Sequence, residues 1–376
     1  MVVGDRVDLL EEALREGVAA DLCVVSGGLG PTHDDRTIEV LARVTGRELR
    51  VDPELEAEIE RVSREITARL RRPYAEFAAG VAKQASLPEG AVSLGLAGTA
   101  PGVVLEVGAR VAVALPGPPE ELRRLWRAAL ESDAVRRVLA RAEPREHQVL
   151  RFFGASESTV ARALAEAGGE GGGVEATVCA REAEVIVDLF GAETSRVEAA
   201  LRASLAQYFF AADERPVAEI VLDQCRSRGL TLATAESCTG GMVAERLTAI
   251  PGSSDVFRGA VVAYANDVKA AELGVSEEVL ERHGAVSAET AAAMAAGVRG
   301  RLGADVGVSV TGIAGPGGGT PEKPVGLVFL HASGPGGDLA LDLDIPGGRE
   351  SVRTRSTAAA LHLVRRLLTQ SRHEDV

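Results

Sequence analysis

The chain has 376 residues, more than one hydrophobic core of ordinary size organises, so two or three domains are expected. Apolar residues make up 46% but aromatics only 3%, so the cores must be built from Ala, Val, Leu and Ile, with few platforms for stacking single-stranded bases. A formal net charge of −14 argues against nucleic-acid binding through the overall field, because phosphate contacts need clustered Lys and Arg.

The five arginines between Arg61 and Arg72 sit among Glu60 and Glu65 at helical spacing and read as a solvated helix face. Cys23, Cys179, Cys225 and Cys238 form no C-x-x-C pair and have no His cluster near them. That pattern speaks against a zinc site or a disulfide framework and fits a reducing cytoplasm. The sequence has no run of 18 apolar residues and no basic N-terminal region before an apolar stretch. Neither a membrane span nor a signal peptide is therefore expected.

In chain order, residues 5–17 read as an amphipathic helix, and Leu22–Ser26 as a buried parallel strand entering a glycine turn. Ile38–Gly46 reads as a helix, Asp52–Ala85 as a long helical stretch broken near Pro73, and Val103–Leu115 as two strands or a hairpin. Glu120–Leu130 follows a rigid Pro-Gly-Pro-Pro turn as a helix. This alternation predicts an α/β layer fold. A second unit has strand Gln148–Phe153, helix Ser156–Ala167 with Ser156 only a weak cap, a glycine loop 168–173, strand Glu182–Phe190 and helix Ser195–Phe210. Ala211–Pro216 is the expected linker.

The third unit opens with a helix and continues with strand Leu230–Ala235, a helix after Gly240-Gly241 and a strand at Ala260–Ala263. Helix Ser287–Arg301, with Ser287 as its N-cap, leads to a buried strand at Asp305–Thr311 and a glycine loop at 312–319. Strand Pro324–Ala332 and a closing helix Arg349–Leu368 complete it.

Three stretches of this third unit carry possible chemistry. Ala235-Glu-Ser-Cys-Thr-Gly-Gly241 joins a strand to a helix; it reads either as a site where backbone approaches an anion or as a tight turn capped by Ser and Thr. Pro251-Gly-Ser-Ser-Asp-Val-Phe-Arg-Gly259 precedes Tyr264-Ala-Asn-Asp-Val-Lys269. A serine nucleophile needs a base, and a lysine serves when burial lowers its pKa. The chain holds only Lys83, Lys269 and Lys323, so Lys269 beside Tyr and Asn reads either as a required amine or as a surface lysine at a helix start. His283 is a rival base, with no carboxylate evidently placed to orient it. Ser309-Val-Thr-Gly-Ile-Ala-Gly-Pro-Gly-Gly-Gly319, with Glu322-Lys-Pro-Val-Gly326 after it, suits a phosphate cradle or an oxyanion hole. It is neither a Walker loop nor a dinucleotide fingerprint.

Together these stretches resemble the C-terminal domain of the competence/damage-inducible CinA family, also found alone as the PncC type of nicotinamide-nucleotide amidase. The resemblance covers Ala235 to about Arg353 and implies hydrolysis of the carboxamide of nicotinamide mononucleotide, in pyridine-nucleotide salvage, without a cofactor. It implies Ser254 as nucleophile, Lys269 as its base and Tyr264 as an aid to proton movement or orientation. It further implies Ser237, Thr239, Gly240, Thr311 and Gly312 as lining or polarising groups. Arg349 and Arg353, one turn apart, are read either as phosphate ligands or as solvated surface residues. A homodimer is a further implication.

Ser26-Gly-Gly-Leu-Gly-Pro-Thr-His-Asp-Asp-Arg-Thr37, Ala97-Gly-Thr-Ala-Pro-Gly102 and Leu115-Pro-Gly-Pro-Pro-Glu120 are similar to the molybdopterin-binding-like N-terminal domain of the same family. That resemblance implies a metal-dependent ADP-ribose pyrophosphatase in some members, with Asp34 and Asp35 toward a divalent ion; the alternative is a capped helix start. Family members usually begin well before the position matched by Met1, and this chain lacks the usual Asn near Gly95. The domain is thus expected to be truncated at its start, with the pyrophosphatase not expected to operate. Residues 145–211 resemble the family's small KH-like module. They lack a well-placed Gly-x-x-Gly clamp, so RNA binding is not expected.

The expected fold is therefore α/β and multidomain: a molybdopterin-binding-like α/β domain over 1–130, a small KH-like α+β module over 145–211, and a C-terminal α/β amidase domain over 215–370. The competing readings are the pyrophosphatase and a non-catalytic molybdopterin-like binding protein.

Overall fold

The structure, a computed structural model, describes residues 1–4, 6–143, 145–169, 173–181 and 183–370. Residue 5 of the first expected helix, residues 170–172 of the expected glycine loop, and Glu182, where a strand was expected to start, lie outside the described residues. The chain divides into two compact units, Met1–Pro144 and Arg145–Val376.

The first unit contains, in order, α1 (Val7–Gly17), β1 (Leu22–Ser26), α2 (Thr37–Val44), β2 (Leu49–Val51), α3 (Pro53–Leu70) and α4 (Ala75–Gln84). It continues with β3 (Ser86–Pro88), β4 (Ala91–Leu96), β5 (Pro101–Val107), β6 (Arg110–Leu115), α5 (Pro119–Glu131) and α6 (Asp133–Leu139). Its main sheet has the order β1-β6-β5-β4, and a two-stranded ribbon joins β2 to β3. Strand β1 is parallel to β6, as its apolar run suggested, but it is an edge strand, and Val24 is 48% exposed. Helix α3 starts where Asp52 accepts from the N–H groups of Glu54 and Leu55 and Pro53 stands first in the helix. It ends at Arg71, in the left-handed region, just before Pro73.

The second unit holds two sheets. Residues 147–211 form β7 (His147–Phe153), α7 (Glu157–Glu166), β8 (Val174–Arg181), β9 (Glu184–Gly191), α8 (Thr194–Ser204) and β10 (Phe209–Ala211), in the order β10-β7-β9-β8. Ser156 does cap α7, accepting from Thr159 N at 3.1 Å. The expected helix to Phe210 stops at Ser204, because Phe209 and Ala211 pair with β7 instead.

The rest is a three-layer sandwich. Its elements are α9 (Val217–Arg226), β11 (Leu232–Glu236), α10 (Met242–Thr248), a 3₁₀ turn (Ser253–Asp255), β12 (Phe257–Val262), α11 (Asn266–Leu273), α12 (Glu277–His283) and α13 (Ala288–Leu302). Then come β13 (Val306–Gly312), β14 (Leu327–Gly334), β15 (Gly337–Asp344) and α14 (Arg349–Gln370). The sheet order is β12-β11-β13-β14-β15, with β11 parallel to both neighbours and the last two strands antiparallel.

Side chains alternate across this sheet as a strand requires. Leu232, Val306, Val308 and Val310 pack with α9, α10 and α14, while Ala233 and Ala235 pack with Leu273, Met294 and Val298 of α11 and α13. Helix α13 lies close to its face, since a Cβ on Gly307 would come within 2.5 Å of Ala295 O. Ser287 caps α13 through Thr290 N at 3.1 Å, and Gly303 closes it in the left-handed region.

Candidate active site

The chain leaves β11 toward α10 on one face of the sheet and leaves β12 toward α11 and α13 on the other. The connections of two adjacent parallel strands thus part at their carboxyl ends, where open α/β sheets form their ligand crevice. Ser237 lies just past the end of β11, and Tyr264 and Lys269 follow the end of β12.

Lys269, in the first turn of α11, is 1% exposed. Its Nζ lies 2.8 Å from Ala263 O, 3.2 Å from Tyr264 O and 3.1 Å from Ser237 Oγ. Burial lowers its pKa below the ordinary lysine value. A neutral amine has two N–H donors and one lone pair. With two carbonyls taking the donors, the lone pair is left for the Ser237 hydroxyl. Ser237 itself is 8% exposed, and its N–H continues the sheet by donating to Val310 O at 2.9 Å. The neighbouring Cys238 thiol is buried and pushed up to about 11, so it stays protonated near neutrality and does not compete as a nucleophile.

The structure does not bring Ser254 to Lys269, which corrects the pairing expected from the resemblance. Ser254 is exposed in the 3₁₀ turn before β12, whereas Lys269 follows β12. The six residues of β12 separate the two ends by roughly 17–20 Å at about 3.3 Å per residue. Asp255 of that turn is tied instead to Arg226, at 2.7 Å.

The other expected residues are placed as follows. Tyr264 is 62% exposed; its phenol accepts from Arg349 Nη2 at 3.1 Å and is not bonded to Lys269. Arg349 also donates to Gly315 O at 2.9 Å. Arg353 donates to Cys238 O at 3.2 Å and to Thr239 O at 2.8 Å, so it holds the Ser237 loop. Thr239 is fully buried, and its hydroxyl donates to Glu236 at 2.7 Å. Gly240 and Gly241 both have positive φ, +62° and +98°, which the turn from strand to helix requires. Thr311 donates to Ala285 O at 2.7 Å, and Gly312 is paired with Val328 in the sheet.

Sequence reasoning missed two groups. Glu236 is fully buried at the end of β11, and its carboxylate occupies the start of α10 that the glycine pair had suggested for a ligand anion. The signal was a charged residue closing an otherwise apolar strand, Leu232-Ala-Thr-Ala-Glu236. Glu289 is the other: its Oε1 is 3.3 Å from His283 Nδ1, so a carboxylate does stand beside this histidine. Among the described residues no serine hydroxyl bonds the His283 ring.

In the first unit, the Thr32 hydroxyl lies within hydrogen-bond reach of both Asp34 and Asp35, and its N–H donates to Asp35 Oδ2 at 2.9 Å. The two carboxylates fasten a turn. Among the described residues no group of three or more His, Cys, Asp or Glu side chains is gathered for a metal. This donor set does not fit a cation held by protein ligands alone. Among the described residues no helix is long and apolar enough to cross a membrane.

Two family models match the sequence: a probable molybdopterin binding domain over residues 1–137 and the CinA C-terminal domain over residues 214–368. A CinA-like protein of Mycolicibacterium vanbaalenii is 44% identical over 378 residues, covering 97% of this chain and 89% of that protein. A CinA-like protein of Mycobacterium tuberculosis is 42% identical, covering 98% of this chain and 88% of its own length. Among solved structures, the competence/damage inducible protein CihA from Agrobacterium tumefaciens is 44% identical, with a TM-score of 0.40 over 40% of this chain and 93% of that chain.

Proposed function

The chain belongs to the CinA family, and we propose that its C-terminal domain hydrolyses the carboxamide of nicotinamide mononucleotide to nicotinate mononucleotide and ammonia. The observation that carries this reading is the buried Lys269 amine with two carbonyl partners and the Ser237 hydroxyl at 3.1 Å. This is the arrangement of a serine nucleophile with a lysine base.

Neutral Lys269 takes the Ser237 proton as Oγ bonds to the amide carbon. The negative charge moves to the carbonyl oxygen. The N–H groups of Cys238 and Thr239 follow Ser237 directly in the chain and donate to no backbone carbonyl among the described residues, so they are available to receive it. The C–N bond then breaks, and Lys269 returns the proton to the leaving nitrogen, which departs as ammonia. Water next attacks the ester, giving a proton to Lys269. The ester C–O bond breaks, Ser237 recovers the proton from Lys269, and the carboxylic acid leaves and gives its remaining proton to solvent. Arg349 is exposed at the mouth and keeps donors beyond those used on Gly315 and Tyr264, so it suits the substrate phosphate.

Ammonia release from nicotinamide mononucleotide by the purified chain tests this. Ser237→Ala and Lys269→Met are each expected to reduce kcat by about 10³-fold or more while the protein stays folded. Wild-type activity in either variant contradicts the mechanism, and no release by folded wild type contradicts the substrate.

A further inference from the structure

A carboxylate with no cation bonded to it is rare in a protein interior, because burying a charge is costly unless strong hydrogen bonds replace water. Glu236 is such a group. Its Oε2 accepts from Thr239 Oγ1 at 2.7 Å, Gly241 N at 2.9 Å and Val243 N at 3.1 Å. Its Oε1 accepts from Ala244 N at 2.9 Å and Thr234 Oγ1 at 3.3 Å. Five neutral donors therefore converge on one carboxylate, three of them backbone N–H groups at the start of α10. Those groups would otherwise lack intrahelical partners.

These bonds have a direction in space. Glu236 is the last residue of β11, and its donors all lie on β11 itself or in the loop and helix start that Ser237 enters. From the opposite side, Arg353 donates to the carbonyls of Cys238 and Thr239. The Ser237–Gly241 loop is therefore gripped on its N–H side by a carboxylate and on its C=O side by a guanidinium. Ser237 has no further side-chain partner among the described residues besides Lys269.

We infer that Glu236 is a positioning residue for the reaction: an internal carboxylate that fixes the Ser237 loop so that Oγ stays within hydrogen-bond reach of Lys269. The inference rests on the Ser237–Lys269 reading above, and it also assigns the start of α10 to the protein's own carboxylate, leaving the substrate's anion to the Arg349 side. Glutamine is the sharpest replacement. It keeps the shape, but both carboxylate oxygens face donors, so its NH₂ group must oppose donors whichever way it turns.

The test uses the full chain with ¹³Cε-labelled lysine, which gives only three signals, for Lys83, Lys269 and Lys323. Lys269→Arg assigns the Lys269 signal, and Ser237→Ala shows where it moves when the hydroxyl is lost. In folded Glu236→Gln the Lys269 signal is expected to move toward its Ser237→Ala position. Ammonia release from nicotinamide mononucleotide is expected to fall by about 10²-fold in kcat, with KM changed less than about threefold. A Lys269 signal at its wild-type position, or a change confined to KM, overturns the inference. If Glu236→Gln does not fold, Thr239→Val removes one of the five donors at almost constant volume. A smaller shift in the same direction then supports the inference, and an unmoved Lys269 signal overturns it. The lysine signal needs no substrate, so failure of the substrate reading shows separately, as absent ammonia release from the wild type.

Discussion

At the scale of single residues, the pH dependence follows from the position of Lys269. The base must be neutral to accept the Ser237 proton, and burial lowers its pKa below the ordinary value of 10.5. The rate kcat/KM is expected to rise with pH through an inflection below 10.5, and a pH–rate profile checks it. An inflection at or above the ordinary lysine value would show that the amine is not desolvated as the structure has it. Lys269 also affects stability: between its lowered folded pKa and 10.5 the unfolded chain binds the extra proton, so stability rises with pH across that window. Gly241 offers a second residue-level prediction. A Cβ there would meet Val262 Cγ2 only at an ordinary 3.7 Å, so the cost of Gly241→Ala lies in its φ of +98°. A loss of about 1–2 kcal/mol in denaturant melts is expected, with kcat reduced because the Ser237 loop shifts.

At the scale of elements, much of the architecture was legible. Leu22–Ser26, the helix capped by Ser287 and the closing helix all form near their expected bounds, because apolar periodicity and caps act locally. Strand β15 was missed although Leu339, Leu341 and Leu343 alternate with exposed residues over Asp338–Asp344, the mark of a half-buried strand. The end of α8 was misjudged because β10 forms only by pairing with β7, across some 57 residues of chain, which no local pattern contains. The same limit explains Ser254. Local sequence showed a serine and a lysine near each other in the chain. Their separation turned on one intervening strand, β12, which carries the chain from one end of the sheet's strands to the other. Serines and lysines are placed by strand polarity, and polarity is a property of the assembled sheet.

At the scale of the whole second unit, the small four-stranded module is joined to the helix that carries Arg349 and Arg353. His362 of α14 is fully buried and stacks on Phe153 at 3.8 Å between ring centroids. Arg365 Nε donates to His362 Nδ1 at 3.3 Å, so Nε2 carries the proton that reaches Glu184 Oε1 at 3.0 Å. Arg151 completes the cluster, 2.6 Å from Glu184 Oε2. Burial pushes His362 down to about 4, against the hydrogen bond it donates to Glu184, and Arg365 and Arg151 press in the same direction as burial. Burial also opposes the Glu184 charge, but His362 and Arg151 outweigh it and hold the carboxyl below its ordinary value. Between pH 6.5 and about 4 the unfolded chain takes up a proton on His362 that the folded chain refuses. Stability is therefore expected to fall as the pH falls through that window. Melting temperatures of wild type and His362→Gln check this: the variant should be less stable at neutral pH by about 1–3 kcal/mol and should show a flatter slope from 6.5 to 4. Equal slopes would contradict a buried, neutral His362.

The identity of the nucleophile is tested most directly by setting Ser237→Ala against Ser254→Ala in ammonia release from nicotinamide mononucleotide, with folding checked by circular dichroism. Ser254→Ala is expected to keep activity within about threefold of wild type, whereas Ser237→Ala is expected to lose about 10³-fold or more. Loss of activity in folded Ser254→Ala, with Ser237→Ala still active, would contradict the assignment of the nucleophile to the carboxyl end of the sheet.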